Sequence, residues 1–233
     1  MDGVNYEDIF LDANPFLGED ADYMLYGAAD SELAAELWRQ QLLASSSYGV
    51  PIPTYSSSWY LSLSNVEIVA RAIYCEGGTA YTEEDSAVSW VILNRINSTG
   101  FPNSAAAVVK ASGQFASITG GSGATQESRN PSIGSDRWKH STFLACLLLT
   151  TISESEWDII IGNKINGQLY FYSYTVAQNN SVFTGTSSST LKYNGTDINN
   201  VYVLGYGYVT SFPTLFNNYN PIDYSRNIYY DIK

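Results

Sequence analysis

The most regular pattern of apolar and polar positions in the chain ends at Glu76. Apolar side chains recur there every three or four positions, and the carboxylate closes the stripe. This spacing predicts a helix with one buried face. Ser64 and Glu67 match the capping box that begins a helix, and Gly77 with Gly78 should end it, because glycine is a poor helix former that favours left-handed caps.

A second helix is predicted to follow at once, beginning at Thr82 and closing at Arg95. Thr82 and Asp85 resemble another capping box. The expected buried face of this helix consists of Ala87, Val88, Val91 and Ile92. Two helices joined by so short a loop form a helical hairpin, and Glu76 lies at its joint.

The chain before this hairpin is expected to be an extension. Residues 1–30 are acidic and rich in turn formers, which indicates an irregular arm. A helix is predicted from Asp30, with Leu33, Leu37 and Leu42 on its apolar side and Trp38 beside them. Residues 45–58 contain two prolines and several serines and are typical of a linker. We therefore predict an acidic N-terminal arm over 1–58 and a catalytic domain over 59–233.

After the hairpin the pattern changes from helical to strand-like. Helices are predicted over 104–111 and 136–153, with a loop rich in glycine and serine over 117–135 between them. Residues 168–174 and 201–212 are rich in β-branched and aromatic side chains and predict strands. The fold class that fits is α+β, with a helical, lysozyme-like core and a small antiparallel sheet in the C-terminal part.

Composition and charge exclude several classes of function. The chain has 233 residues and a net charge of -12, so it offers no basic patch for nucleic acid. No apolar run reaches transmembrane length, and no signal peptide precedes the acidic start. One histidine and two cysteines do not make the usual zinc sites, so we expect no metal. Cys75 and Cys146 could form one disulfide or be two buried thiols, and the oligomeric state is open.

Glu76 is the strongest chemical candidate. The helix dipole disfavours a carboxylate at the C-terminal end of a helix, so a glutamate there needs a reason. Partial burial at the joint would disfavour the charged form and raise the pKa of Glu76, as a general acid requires. Glu83, Glu84 and Asp85 are interpreted as first-turn charges of the second helix, which favours chemistry with a single acid.

The segment from VARAIYCEGG to ILNRI, followed by FPNSAAAVVKASGQFAS, resembles the cell-wall hydrolase family of spore cortex-lytic enzymes (SleB-type). The family places a glutamate at the end of one helix, Leu-Asn-Arg at the end of the next, and Gly-Gln-Phe after them. Glu76, residues 93–95 and residues 113–115 match these marks in order, and GQLYFY from residue 167 resembles a later sheet segment.

The resemblance implies a peptidoglycan glycan-strand lytic transglycosylase, with Glu76 as general acid and base and no cofactor. Its partner would be peptidoglycan, and its location extracellular, in the cell wall or spore envelope. Candidate residues for contact with the glycan, or for packing beside it, are Asn94, Arg95, Gln114, Phe115, Tyr170 and Tyr172, with Trp138 as a further stacking candidate.

Two other functions are compatible with the sequence. Cys75 and His140 occur in the order used by papain-like peptidases, which would make the protein a peptidoglycan amidase or endopeptidase. The family usually carries a second acid four positions after the glutamate, where this chain has Ala80, and a late histidine that is replaced around 206–207. These departures motivate a third possibility, a glycan-binding or structural protein on a degenerate hydrolase scaffold.

Overall fold

The computed structural model describes residues 21–77, 82–150, 153–162, 165, 167–219 and 227–233. The predicted irregular arm over 1–20, Gly78 and Ala80 lie outside these residues. The helices of the described part are α1 (Ala21–Ala44), α2 (Asn65–Gly77), α3 (Thr82–Ile96), α4 (Ala105–Lys110), α5 (Ala116–Thr119), α6 (Gln126–Arg129), α7 (Asp136–Leu149), α8 (Glu154–Ile161), α9 (Tyr174–Asn180) and α10 (Phe212–Asn218).

The strands lie in the C-terminal part and form one antiparallel sheet, so the predicted α+β class is confirmed. They are β1 (Tyr170–Ser173), β2 (Phe183–Thr184), β3 (Lys192–Tyr193), β4 (Thr196–Val203), β5 (Gly207–Tyr208) and β6 (Asn227–Ile232). The strand order is β1-β6-β4-β3-β2, with β5 paired to β4. The last strand of the chain therefore lies inside the sheet, next to β1 and close to the helices.

The central hairpin forms as the periodicity predicts. Helix α2 packs against α3 and α7, and Val69 and Ile73 on α2 and Val88 and Ile92 on α3 are fully buried. The Ser64 hydroxyl accepts the backbone N–H of Glu67 at 3.3 Å. The second half of the predicted capping box is wrong, because the Glu67 carboxylate points away from the cap and accepts the N–H of Gly49 and the guanidinium of Arg71.

Helix α1 is longer than predicted and buries a different face. It begins at residue 21 rather than 30 and packs against α7 and α8. Leu33 and Leu37 are 58% and 50% exposed, whereas Ala35 is fully buried and Trp38 packs against the core. The predicted apolar side was therefore wrong at Leu33 and Leu37, whereas Leu42 and Trp38 do pack against the core.

Residues 45–58, which the sequence predicts as a linker, lie against the helical core. Ile52 donates its backbone N–H to the Arg129 carbonyl at 2.9 Å. The Arg129 guanidinium returns hydrogen bonds to the carbonyls of Ile52 and Pro53. Tyr48 is buried in the same apolar cluster as α2 and α7. The domain boundary at residue 59 stays a prediction.

The predicted helix over 136–153 is shorter in the structure. Helix α7 ends at Leu149, Thr150 is extended, and a separate helix, α8, begins at Glu154. The Ser153 hydroxyl accepts the Glu156 N–H, and the Glu156 carboxylate accepts the Ser153 N–H in return. This capping box was visible in the sequence and was missed. It positions Trp157, which is fully buried.

We expect Ser153→Ala to lower the free energy of unfolding by ~1 kcal/mol, because an alanine cannot accept the N–H of the third helical residue. Chemical denaturation measures this difference. Ser98→Ala is the control, since the Ser98 hydroxyl makes only a long 3.5 Å contact with the Thr99 carbonyl. Equal effects of the two substitutions would contradict a stabilising cap at Ser153.

The predicted strand over 201–212 is interrupted. Strand β4 ends at Val203, and the chain turns through Gly205 and Gly207, both with positive φ, into the short β5. Helix α10 then begins at Phe212, with the Ser211 hydroxyl accepting the Thr214 N–H. The β-branched and aromatic composition did not predict this helix.

Candidate active site

Three elements from distant parts of the sequence meet at Glu76, which is partly buried at the end of α2. The backbone N–H of Ser117, on α5, donates a hydrogen bond to Glu76 Oε1 at 3.1 Å. The side-chain amide of Asn227, the first residue of β6, donates to the Glu76 carbonyl at 3.3 Å. The carboxylate is therefore held by a backbone donor while remaining partly accessible.

Arg95 supplies a buried positive charge on the adjacent helix. It is 3% exposed, and its Nε donates to the Leu169 carbonyl at 2.7 Å. Its guanidinium lies 5.2 to 5.7 Å from the ring centroids of Phe101, Phe115 and Tyr170. Burial lowers the pKa of Arg95 to about 10, against the raising effect of nearby groups that include Glu76. Arg95 is thus still a cation at neutral pH.

The other predicted contact residues are placed differently from one another. Asn94 donates its side-chain amide to the Gln168 carbonyl at 3.0 Å, which ties α3 to the segment before β1. Gln114 is half-buried. Phe115 is fully buried and lies 5.7 Å from the Phe171 ring, so it forms the base of the site rather than an exposed platform.

The aromatic residues predicted to stack on sugar also differ in their burial. Tyr170 and Tyr172 on β1 are half-buried. Tyr170 stacks on Tyr230 of the neighbouring strand, with ring centroids 5.7 Å apart. Trp138 is fully buried against Tyr48, so its prediction as a sugar-stacking residue was wrong.

Two carboxylates on α3 lie in the protein interior. Glu83, Glu84 and Asp85 do occupy the first turn of α3, but only Glu83 is exposed; Glu84 is 1% and Asp85 0% exposed. The Glu84 Oε1 atom accepts the Asn227 amide at 2.8 Å and the Tyr229 hydroxyl at 2.7 Å. Their position in the first turn is confirmed, but two of them are buried: β6, from the far end of the chain, covers Glu84, and α2 and α7 pack against Asp85.

Asp85 is packed directly beneath the end of α2. A β-carbon added to Gly77 would lie 1.8 Å from Asp85 Oδ1, so only glycine fits at the residue after Glu76. The Ser141 hydroxyl, on α7, lies 3.1 Å from Asp85 Oδ2. Burial raises the pKa of Asp85 to about 8, opposed by the positive charge of Arg137 and by the Ser141 hydroxyl.

An open groove of about 500 Å³ lies beside the end of α2. It is lined by Cys75, Gly123, Ala124, Gln126, Glu127 and Asn130. The Glu127 side chain is 40% exposed and pairs with Arg137 at 2.8 Å. The sequence analysis missed Glu127; the only signal was the length of the loop over 117–135, since long loops in compact domains are often functional.

Cys75 and His140, the two residues of the peptidase alternative, lie next to the side chains of other residues. Cys146 is a buried free thiol. The Cys75 sulfur lies 4.0 Å from the Glu127 carboxylate, which does not supply the positive charge that activates a catalytic thiol. The His140 Nε2 atom lies 3.5 Å from the Ser86 hydroxyl on α3.

Within the described ranges, no three His, Cys, Asp or Glu side chains come together in a cluster that could hold a metal ion. The helices of that same part of the chain include none with the length and apolar character needed to cross a bilayer.

The sequence comparison decides the family. The family model described as Cell Wall Hydrolase matches residues 81–196, about half of the chain. The chain belongs to the cell wall hydrolase family. The resemblance noted in the sequence is thereby confirmed, and a peptidoglycan-degrading role in the cell wall follows from the family. No curated protein and no solved structure matches the chain significantly.

The matched range of the cell wall hydrolase family contains the predicted glycan-contact residues but begins just after Glu76. The role of Glu76 therefore depends on its geometry.

Proposed function

We propose that the protein is a peptidoglycan lytic transglycosylase in which Glu76 is the general acid and base. The observation that carries the proposal is the Glu76 carboxylate itself, partly buried at the end of α2 and held by the Ser117 backbone N–H. Lytic transglycosylation requires one carboxyl group, whereas ordinary glycoside hydrolysis uses two, about 5 to 9.5 Å apart.

The reaction begins with proton donation. The protonated Glu76 carboxyl donates its proton to the glycosidic oxygen, and the bond between that oxygen and the anomeric carbon of the muramoyl residue breaks. The resulting Glu76 carboxylate then removes the proton from the muramoyl 6-hydroxyl, whose oxygen bonds to the anomeric carbon. The product is a 1,6-anhydro sugar, and Glu76 is protonated again, so no water is consumed.

The neighbours of Glu76 suit a carboxyl group that alternates between two charge states. The Ser117 N–H at 3.1 Å stabilises the carboxylate that exists between the two proton transfers. The Arg95 cation acts in the same direction through space. Because Arg95 and Phe115 are buried, we propose that both position the site and that any glycan contact comes from the half-buried Gln114, Tyr170 and Tyr172.

The position of Glu127 supports one alternative reaction, ordinary glycoside hydrolysis. Its half-exposed carboxylate lines the groove next to Cys75 and could activate a water molecule, which would make the reaction an ordinary hydrolysis. Its ion pair with Arg137 favours a structural role for this carboxylate instead. The two chemistries leave different ends on the glycan product.

We expect mass spectrometry of soluble products from purified peptidoglycan to find anhydro-muropeptides from the wild-type protein. Glu127→Gln should leave the product type unchanged and lower the rate less than tenfold, because Glu127 takes no part in either proton transfer. Reducing-end muropeptides would instead establish hydrolysis, and cleaved peptide stems would move the case to Cys75 and His140. No product from several walls would favour the glycan-binding scaffold. Comparing spore cortex with vegetative wall as substrate tests the predicted spore envelope location.

A further inference from the structure

Asp85 combines complete burial with an incomplete set of hydrogen bonds. Its side chain is 0% exposed, and within the described part of the chain its Oδ1 atom has no hydrogen-bond partner. It forms no ion pair there: the nearby Arg137 is paired with Glu127. An ionised carboxylate in this position would have at most the Ser141 hydroxyl as a donor and no ion pair, with Arg137 acting only through space, so its buried charge would be poorly compensated.

The hydrogen bonds of Ser141 indicate which species is present. The Ser141 hydroxyl lies 3.0 Å from the Arg137 carbonyl and 3.1 Å from Asp85 Oδ2. A hydroxyl carries one proton, and a carbonyl can only accept. When Ser141 donates to the Arg137 carbonyl, the contact with Asp85 is a hydrogen bond only if the Asp85 carboxyl carries the proton and donates to Ser141. Both contacts of the Ser141 hydroxyl are therefore hydrogen bonds only when the Asp85 carboxyl is neutral.

The place of Asp85 links it to the proposed chemistry. Its Oδ1 atom fills the space beside Gly77 that a side chain would occupy, and Gly77 directly follows Glu76. We propose that Asp85 is held as a neutral carboxylic acid and is a positioning residue that fixes the Glu76 end of α2. The positioning role rests on the proposed function of Glu76, but the protonation state does not.

The groups that face Asp85 set the pH range of this effect. Arg137 from α7 lowers the pKa of Asp85, whereas Glu84 on its own helix and Glu127 from α6 raise it, and Tyr229 from β6 lies within electrostatic range. Burial outweighs the others and moves the pKa from 3.8 to about 8.

The sign of the stability effect follows from proton linkage. Between these two pKa values the folded protein holds a proton on Asp85 that the unfolded chain has released. Stability due to Asp85 is therefore fully present below about pH 4 and is lost as the pH rises to about 8. One linked proton changes the unfolding equilibrium constant about tenfold per pH unit.

Asp85→Asn tests the protonation state because asparagine has the shape of the neutral acid and can donate to Ser141 but cannot ionise. We expect the variant to fold. Between pH 5 and 7 the unfolding equilibrium constant of wild type should change by about tenfold more per pH unit than that of Asp85→Asn. Asp85→Glu is the size control. A slope identical to wild type would overturn the proposal.

Infrared spectroscopy of the wild-type protein keeps the test decisive even if Asp85→Asn does not fold. A carbonyl band of a protonated carboxyl group should be present at pH 6 and decrease with a midpoint near pH 8, and Asp85→Asn should remove it. The absence of the band in wild type at pH 6 would overturn the neutral assignment.

The rate of peptidoglycan lysis tests the positioning role of Asp85 separately. Asp85→Ala should lower the rate of peptidoglycan lysis at pH 6. Asp85→Asn should restore that rate and should retain it above pH 8, where we expect the wild-type protein to lose activity. If the pH slope changes as expected but Glu76→Gln remains active, the proposed function fails while the neutral Asp85 stands. If lysis by Asp85→Ala equals wild type, the positioning role is excluded.

Discussion

Replacing Glu76 with glutamine is expected to slow peptidoglycan lysis by ~10²–10⁴-fold, the usual contribution of a general acid and base. Glutamine is nearly isosteric and its carbonyl oxygen can still accept the Ser117 N–H, so folding and wall binding should be retained. It cannot donate a proton to the glycosidic oxygen or remove one from the 6-hydroxyl. The rate of turbidity loss of a peptidoglycan suspension, together with cosedimentation for binding, measures both effects.

The matched control is Glu83→Gln. Glu83 is an exposed carboxylate in the first turn of α3, so the substitution makes the same change in charge close to the site without touching it. We expect it to leave the lysis rate unchanged. If Glu76→Gln lysed peptidoglycan within threefold of wild type, the catalytic carboxylate would lie elsewhere, with Glu127 as the first candidate.

The position of Glu76 could be predicted because it depends on local pattern. Helical periodicity from Val66 to Ile73 and the glycine after Glu76 specify a helix that ends at the carboxylate. The next helix and its buried face, including Val88 and Ile92, follow from the same rule. Information carried within a dozen residues was therefore enough to place the central hairpin.

The partners of Glu76 could not be predicted, because they come from far along the chain. Asn227 and Tyr229 reach the hairpin only because β6 inserts between β1 and β4. The same insertion covers Glu84, whereas Asp85 lies against α2 and α7, and the sequence context of both is that of ordinary N-terminal helix charges. Composition and periodicity carry no information about which strand covers which helix.

The buried face of α1 shows a second limit of prediction from sequence. Leu33 and Leu37 follow the apolar period but are exposed, whereas Ala28 and Ala35 are buried where the helix approaches α7 and α8. Hydrophobicity alone ranks leucine above alanine. Small side chains are selected where helices pack closely, and that distance is a property of the assembled fold.

Arg71 connects three segments of the helical core through a fully buried guanidinium. Its Nη1 atom donates to the carbonyls of Ser128 and Arg129, and its Nη2 atom donates to the carbonyl of Val50. Nε and Nη2 also donate to the Glu67 carboxylate, at 3.0 and 2.7 Å. Helix α2, α6 and the segment before α2 are thus held by one side chain.

Arg71→Leu is expected to lower the free energy of unfolding by ~3–5 kcal/mol, because it leaves the Glu67 carboxylate buried without its cation and the bonded carbonyls without a donor. The double substitution with Glu67→Leu should recover part of the loss by removing the uncompensated charge. Lys139→Met, which breaks an ion pair between exposed side chains, is the control and should give no measurable change. Urea denaturation measures all three variants. A loss below ~1 kcal/mol for Arg71→Leu would contradict a stabilising role for the buried guanidinium.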